Sequence, residues 1–242
     1  MRASAVGMLV ASTLAACTYP EKELSTPFGC LGDVPPAAQD PVNLLGAVVS
    51  EQTPLAGVSV RLLDRNMSPI TPAVTTDMTG LAPFSLSTGR VAVERIYLSA
   101  TAPGYVDTFQ SNVHHVSEDV VIPINLASTL QSDALATGGL GRPFTAGTGT
   151  VLVYVADCNN VPLANATVTS VPPGDVRYFE GFMPSRTATK TDVAGVAMIA
   201  SLPASTPPAA TVTLTATVDG MTFPSRTFIV VADSFVQSVM AP

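Results

Sequence analysis

Two short stretches decide the fold, because one repeats the other. Residues 54–60 read Pro-Leu-Ala-Gly-Val-Ser-Val and residues 162–168 read Pro-Leu-Ala-Asn-Ala-Thr-Val, an offset of 108 residues (162 minus 54). Gly57 and Asn165 stand at matching positions, and Gly and Asn are the residue types that best tolerate a positive φ. A left-handed residue followed by an alternating β-branched run predicts a tight turn that leads into a strand. The chain therefore makes this turn twice.

Two further blocks repeat in the same order. The pattern Thr-Asp-x-x-Gly occurs at 76–80 and at 191–195, and a Leu-x-Ala-Thr run occurs at 98–105 and at 214–221. An Asp three residues before a Gly suits a turn in which the carboxylate accepts backbone N–H groups and the Gly closes the bend. Three blocks in one order at nearly constant separation predict two copies of one module.

Between these turns the sequence consists of short alternating runs. In the first copy they lie at 44–50, 57–63, 81–87, 95–102 and 120–126, which are lengths and spacings typical of a sandwich. No run of 11 or more residues after the N-terminal segment has a helical period, so helices should be few. The predicted fold class is all-β, with two tandem antiparallel β-sandwiches of the seven-stranded type.

The first copy also resembles a known family. Its motifs are Gly-x-Val at 46–48, Pro-Leu-x-Gly-Val-x-Val at 54–60, Thr-Asp-x-x-Gly at 76–80 and Ala-x-Gly-Tyr at 102–105. In this order they resemble the carboxypeptidase regulatory-like family, which implies a prealbumin-like (transthyretin-like), broadly Ig-like sandwich over residues 42–128. The second copy departs from the motifs, because we align Tyr154 with the position of Gly46 and Ala197 with that of Pro83. Its membership rests on the internal repeat.

These observations divide the chain into five segments. We expect a lipoprotein signal peptide at 1–16, a lipid-anchored flexible tether at 17–41, the first sandwich at 42–127, a linker at 128–148 that is rich in Gly, and the second sandwich at 149–242. The tether and the linker are flexible in this prediction, and the two sandwiches are the folded parts.

The N-terminal segment predicts export and lipidation. Residues 3–16 are apolar but too few for a membrane-spanning helix, which needs about 20 residues. Leu14-Ala15-Ala16-Cys17 resembles the lipobox of bacterial lipoproteins, which implies that Cys17 is acylated with fatty acids such as palmitate. Thr18 stands where the family's inner-membrane retention signal has Asp, so the resemblance implies the outer membrane of a Gram-negative cell. The alternative is an ordinary signal peptide with a chance cysteine.

Two cysteines remain after Cys17. Disulfides persist in the oxidising cell envelope, so Cys30 and Cys158 are candidates for a bridge between the tether and the second module. In the chain-entropy account, closing so long a loop would stabilise the fold by about 4–5 kcal/mol. The alternative is two separate thiols.

Composition excludes several functions. The net charge is −7 and only 12% of residues are charged, so we expect no nucleic-acid partner and no attraction to anionic headgroups. No catalytic, metal-binding or cofactor-binding motif occurs, and we predict no enzyme, no cofactor and no metal. An iron enzyme related to the intradiol dioxygenases, which use Tyr and His, is the third and least favoured interpretation.

One segment stands out from the repeat. Residues 172–186 enlarge the second copy and contain Arg177, Tyr178, Phe179 and Phe182, in a protein with 6% aromatic residues. Aromatic residues beside Arg on a loop are typical of binding surfaces, but the interpretation that we favour for this segment is that its aromatic residues pack over an open sandwich end. We therefore expect a non-enzymatic spacer or interaction platform, with envelope proteins or polysaccharide as partners. The alternative is carbohydrate or peptidoglycan binding through this segment.

Overall fold

A computed structural model of the chain describes residues 37–93, 95–112, 115–204 and 210–242. The predicted signal peptide at 1–16, Cys17 and the tether up to residue 36 lie outside the described residues. The strands are β1 (Val42–Ser50), β2 (Thr53–Pro54), β3 (Ser59–Leu63), β4 (Val74–Thr75), β5 (Leu81–Leu86), β6 (Tyr97–Thr101), β7 (Thr108–Ser111), β8 (Val120–Asn125), β9 (Thr148–Val155), β10 (Thr167–Val171), β11 (Asp175–Glu180), β12 (Met183–Pro184), β13 (Val196–Pro203), β14 (Ala210–Val218), β15 (Met221–Thr222), β16 (Arg226–Val230) and β17 (Phe235–Met240). A helix, α1 (Thr129–Leu135), and a π-helical turn (Ala136–Leu140) separate β8 from β9.

The first module is a sandwich built around β1. Strand β1 pairs antiparallel with β2 and β5 and parallel with β8, while the opposite sheet has the order β4-β3-β6-β7. Alternation along β1 turns Val42, Leu44 and Val48 inward, where they meet apolar side chains of both sheets. The removal of these side chains from water is the main force that holds the sheets together. All five runs predicted from the sequence are strands, and their ends agree within two residues.

The second module repeats this arrangement. Strand β9 pairs antiparallel with β13 and parallel with β17, and β10-β14-β16 form the opposite sheet. Strands β9, β13 and β17 thus take the places of β1, β5 and β8. The predicted all-β sandwich class is confirmed, but the sheets are not purely antiparallel, because one parallel pair closes each module. Sequence alternation predicts a strand without giving its direction.

The same hydrogen bonds hold the repeated turns in both modules. The hydroxyl of Thr76 accepts the N–H of Val58 at 2.9 Å and donates to the carbonyl of Leu55 at 2.7 Å. The hydroxyl of Thr191 makes the same two bonds in the second module, at 2.9 and 2.8 Å. Both threonines are buried. The first and second sequence blocks repeat because a threonine side chain ties one to the other.

The left-handed residue predicted in the first block is present in both copies. Gly57 has φ +78° and Asn165 has φ +64°. The N–H of each donates to the carbonyl of the buried threonine of its own module, at 3.0 Å for Gly57 and 2.8 Å for Asn165. The turn direction is therefore fixed by the backbone conformation that Gly and Asn tolerate.

The structure corrects our alignment of Tyr154. Val48 and Val155 each donate an N–H to the glycine that closes the Asp turn of their own module, at 2.8 and 2.7 Å, so these valines are equivalent. Tyr154 therefore matches Ala47 and not Gly46. Ala197 lies two residues after Gly195, as Ala82 lies two residues after Gly80, so Ala197 matches Ala82 and not Pro83. The shift at Tyr154 is caused by a turn after β9 that is one residue longer than the turn after β1, which a comparison at constant offset does not detect.

The two modules share one sheet. Strand β17 pairs parallel with β7, and this pairing joins the larger sheet of the second module to the β4-β3-β6-β7 sheet of the first, in a continuous nine-stranded sheet. The N–H of Phe235 donates to the carbonyl of Asp107 at 2.9 Å where the two sheets meet. The modules therefore lie side by side, and each covers a sheet edge of the other.

Side chains reinforce this junction. Tyr97 of β6 is fully buried in the core of the second module, and its hydroxyl accepts the N–H of Ile229 at 3.2 Å. The amide of Gln237 donates to the carbonyl of Asn125 at 2.6 Å and accepts its N–H at 3.3 Å. Apolar burial combined with satisfied polar groups makes the junction resemble a domain interior.

The segment predicted as a flexible linker, 128–148, is ordered and partly helical. Ser128 caps α1, and its hydroxyl and the Gln131 side chain each accept an N–H of the other residue's backbone. The segment covers the outer face of the second module's part of the nine-stranded sheet, formed by β9, β11, β13 and β17. Residues that pack together there are Leu135, Leu140, Phe144, Leu152, Phe179, Val196, Met198 and Phe235. The Gly-rich composition serves this contact, because a Cβ on Gly139 would lie 2.6 Å from Pro184.

Candidate functional site

The aromatic segment 172–186 forms a β-hairpin at the edge of the large sheet. Strand β11 pairs antiparallel with β13 and turns at Gly181 into β12. The hairpin occupies the interval that carries the two-residue strand β4 in the first module. Neighbouring residues of a strand point to opposite faces, so Tyr178 points to one face of β11 while Arg177 and Phe179 point to the other. The fourth predicted binding residue, Phe182, lies on the turn.

Tyr178 points into the sandwich. Its side chain is buried in the second core, and its hydroxyl accepts the N–H of Val168 on β10 at 2.9 Å. The corresponding edge of the first module is paired by β4, with Val60 opposite Val74. The Tyr178 hydroxyl thus accepts a backbone N–H on the edge of β10 where the second module has no strand equivalent to β4. Tyr178 serves the fold and does not face a partner.

Arg177 and Phe179 point to the opposite face, where they hold the helical segment. Arg177 Nε donates to the carbonyl of Gly139 at 3.0 Å, and Phe179 packs in the cluster beneath the segment. Arg186 contributes two more bonds, from Nε to the carbonyl of Gly138 at 3.0 Å and from a terminal nitrogen to that of Thr137 at 2.6 Å. Guanidinium groups suit this function because they offer several donors in one plane.

Phe182 is the one member of the predicted set that faces solvent. It lies on the hairpin turn with 90% of its side chain exposed. Gly181 adopts φ +66° beside it, and the N–H of Gly181 donates to Asp192 Oδ2 at 2.8 Å. This bond fixes the hairpin turn against the Asp turn of the repeat. The structure therefore separates the packing and binding interpretations: Arg177, Tyr178 and Phe179 pack, and Phe182 is accessible.

Two more exposed apolar residues lie on turns at the same end of the second module. Val193, 83% exposed, occupies the Asp turn bound by Gly181, and Val161, 55% exposed, occupies the turn after β9. The turns touch, because a Cβ on Gly195 would lie 3.1 Å from Pro162. We call Val161, Phe182 and Val193 the apolar tip. Sequence reasoning missed the two valines, since single apolar residues in turns form no pattern.

Cys158 lies on the same turn as Val161. It is disulfide-bonded, and the turn is further held by Asp157 Oδ1, which accepts the N–H groups of Asn159 and Val161 at 2.8 and 2.9 Å. The predicted partner Cys30 lies outside the described residues, so the pairing of Cys30 with Cys158 stays a prediction. A covalent link is thus attached beside the apolar tip.

The carboxylates with shifted pKa values hold turns and strand ends. Hydrogen bonds from the Thr79 hydroxyl and from the N–H groups of Leu81 and Thr79 lower the pKa of Asp77. Hydrogen bonds from the backbone and side chain of Asn43 lower that of Asp119. In each case the partners belong to the fold, and the shift stabilises a turn or a strand end.

Burial shifts the pKa of two groups near the junction. Burial raises the pKa of Tyr97, and burial, followed by repulsion from Arg95, lowers that of Arg226. Within the described ranges, no three His, Cys, Asp or Glu side chains are grouped as a metal site would require. In that same part of the chain, no helix is long and apolar enough to span a bilayer.

Comparison with known proteins gives weak similarities only. No protein-family profile matches the chain, and no curated protein matches it by sequence. A streptococcal ancillary pilin overlaps 84% of this chain at 13% identity and a TM-score of 0.28, and this chain spans 63% of that pilin's length. BcpA, the major pilin subunit of Bacillus cereus, overlaps 84% of this chain and 98% of its own at 9% identity and a TM-score of 0.26. Function must therefore be argued from the chain itself.

Proposed function

We propose that this chain is a non-enzymatic lipoprotein of the cell envelope that presents two fused β-sandwiches as one rigid platform. The observation that carries the proposal is the parallel pairing of β17 with β7, because it turns two modules into a single body with fixed geometry. Such a body suits a spacer or an interaction platform, which must hold a surface at a defined position.

A proline on β5 supports a platform that does not polymerise. Val48 donates its N–H to Gly80, so alternate residues of β5 face β1 and Pro83 faces the open edge, where it offers no N–H. In the second module Met198 takes this position and pairs with Arg177 of β11. The same edge is thus blunted by proline in one module and covered by a hairpin in the other.

The other open edge of this sheet is protected in the same way. The Asn125 N–H points away from β1 and binds the Gln237 side chain at 3.3 Å. By alternation Pro123 on β8 points in the same direction and removes one donor from that edge. Both outer strands of the sheet therefore resist the addition of a further strand.

The membrane link is part of the same proposal. The lipobox-like Leu14-Ala15-Ala16-Cys17 supports acylation of Cys17, and Thr18 supports transfer to the outer membrane. Several acyl chains on one terminus anchor a protein stably, whereas a single chain does so marginally. We also infer that both modules are distant members of the carboxypeptidase regulatory-like, transthyretin-like group, an inference supported by their repeated turn motifs.

A second candidate function is binding of carbohydrate or peptidoglycan. Phe182 favours it, as an exposed aromatic ring on a held turn, but Tyr178 and Phe179 are buried and cannot stack on a sugar. If Phe182→Ala leaves retention on purified peptidoglycan unchanged, this candidate is lost. The iron-enzyme interpretation is weakened because the Tyr97 and Tyr178 hydroxyls already accept backbone N–H groups.

Labelled palmitate tests the anchor. Cells that express the full chain should incorporate the label into this protein and carry it in the membrane fraction. Cys17→Ser should lose both, while Cys158→Ser, a matched change of a different cysteine, should keep the label. A labelled Cys17→Ser protein, or an unlabelled wild-type protein found in the soluble fraction, would contradict the proposal.

A further inference from the structure

We propose that the apolar tip (Val161, Phe182 and Val193) rests on the lipid surface to which the chain is anchored. This inference builds on the proposed lipoprotein function and adds an orientation to it. The three residues lie on three turns at one end of the second module, and the Asp turn that carries Val193 contacts both of the others. Clustered exposed apolar side chains on fixed turns mark a surface that meets an apolar partner.

The direction of the strands places the tip at the anchored end of the molecule. Strand β7 runs toward a loop in which the carbonyl of Ser117 accepts the N–H of Gln39 at 2.7 Å, so the described chain begins beside the end of β7. Strand β17 runs parallel to β7, and β9 runs parallel to β17. The turn that follows β9, with Val161, therefore lies at the end of the molecule where the chain starts.

The length of the preceding chain limits how far that end can lie from the membrane. Cys17 and Ala37 are 20 residues apart (37 minus 17), a separation that reaches at most about 70 Å when fully extended. Cys158 lies beside the apolar tip, on the same turn as Val161, and is disulfide-bonded. If its partner is Cys30, only 13 residues (30 minus 17) separate the acylated residue from the tip, or about 45 Å at full extension.

The acidic residues near the apolar tip favour lipids with zwitterionic headgroups. Glu180 precedes the hairpin turn and Asp192 lies beneath it, and the chain as a whole carries a net charge of −7. Acidic groups around an apolar tip are repelled by anionic headgroups and tolerated by zwitterionic ones. The tip therefore fits a phosphatidylcholine-like or phosphatidylethanolamine-like surface. Anchoring raises the local concentration of this surface, so that weak apolar contacts become effective.

The repeat supplies a matched control at the opposite end. Met78 occupies the same place in the Asp turn of the first module as Val193 does in the second, and it is 88% exposed. Strands β1 and β9 are equivalent but run in opposite directions, because β9 runs with β7 whereas β1 and β8 run away from the end of β7. Met78 therefore points away from the lipid surface in this orientation.

A single-tryptophan experiment tests the orientation. The chain contains no Trp, so Phe182→Trp and Met78→Trp each introduce one reporter at a solvent-facing site. Each full-length, acylated variant is reconstituted in phosphatidylcholine vesicles with and without brominated acyl chains. We expect the Phe182→Trp emission to shift to shorter wavelength and to lose most of its intensity with brominated lipid. The Met78→Trp emission should stay as in solution.

The outcomes separate this inference from the proposed function. Emission of Phe182→Trp that is unquenched, or quenched no more than that of Met78→Trp, overturns the orientation while the protein still floats with the vesicles. Failure to float overturns the lipoprotein proposal instead. In that case the mature chain, tethered at residue 18 by a histidine tag to nickel-chelating phosphatidylcholine vesicles, gives the same comparison without acylation. Equal unfolding midpoints for both variants confirm that the fold is unchanged.

Discussion

Replacing Tyr97 by Phe removes one hydroxyl from the interior of the module junction. The ring remains, so no cavity forms, but the N–H of Ile229 loses its acceptor, which lies at 3.2 Å. Both residues are buried, so water does not replace the hydroxyl without rearrangement. A buried donor left without a partner costs about 1–3 kcal/mol, and this is the expected loss in the free energy of unfolding.

Urea unfolding followed by circular dichroism measures this loss. Tyr154→Phe is the matched control. Burial of part of the Tyr154 side chain raises the pKa of its hydroxyl, but the residue is 38% exposed and no described residue hydrogen-bonds to that hydroxyl, so its loss should change stability by less than about 0.5 kcal/mol. Tyr97→Ala should cost about 3–5 kcal/mol, since the second core then loses a large side chain supplied by the first module. If Tyr97→Phe and Tyr154→Phe unfold at the same urea concentration, the reasoning on the junction is refuted.

Three further outcomes follow from the same contacts. Thr191→Val keeps the shape but leaves the buried N–H of Ala166 and the half-buried carbonyl of Leu163 unpaired, so urea unfolding should show a loss of about 1–3 kcal/mol, and a loss below 0.5 kcal/mol would count against the repeated network. Gly195→Ala introduces a Cβ 2.6 Å from the carbonyl oxygen of Val155 at φ +68°, so the thermal midpoint should fall with a loss of about 1–3 kcal/mol; an unchanged midpoint contradicts this. Burial raises the pKa of Tyr97, so the folded state holds its proton more tightly than the unfolded state. This contribution to stability is complete below about pH 10 and is lost as pH rises through the folded pKa. The free energy of unfolding should therefore fall less steeply with rising pH above about pH 10 in Tyr97→Phe than in the wild type. Identical dependence of the two proteins on pH would exclude the contribution of Tyr97.

Local structure could be read from the sequence because it is encoded locally. The alternating runs gave five of the eight strands of the first module to within two residues but missed β2, β4 and β7, and Gly57 and Asn165 adopt the predicted positive φ. The duplicated turns were predicted from residues that tolerate a positive φ, and the structure adds a second reason for them, a shared threonine hydroxyl. Thr76 and Thr191 are visible as a repeated position in the sequence. That their hydroxyls hydrogen-bond to the other repeated block could be learned only from the distances in the folded chain.

The junction was not predicted, because pairing between strand edges depends on which surfaces meet. A signal was nevertheless present on the outer face of β3, β6 and β7. Leu63, Tyr97 and Phe109 are apolar at positions where alternation predicts solvent, and all three pack against the second core. The matching positions in the second module are Val171, Thr213 and Ser225, of which two carry hydroxyls and none belongs to that core. Apolar residues on a nominally exposed sheet face indicated a docking face.

The aromatic hairpin shows why composition alone does not locate a site. Four residues in one short segment suggested a single surface, but strand alternation and the turn divide them between an inner core, a covered outer face and an exposed tip. The tip is completed by Val161 and Val193, which lie on two other turns of the second module. The ordered segment 128–148 was likewise read as a linker, because its glycines suggest flexibility until the surface they approach is known.

Hydrogen exchange at Phe235 tests the fusion of the two modules most directly. Its N–H donates to Asp107 across the junction at 2.9 Å, so exchange in the full chain should be as slow as for amides inside either sheet and should require global unfolding. Exchange at the rate of an open strand edge, while the amides of β9 and β13 stay protected, would show that the modules are separate and would contradict the account.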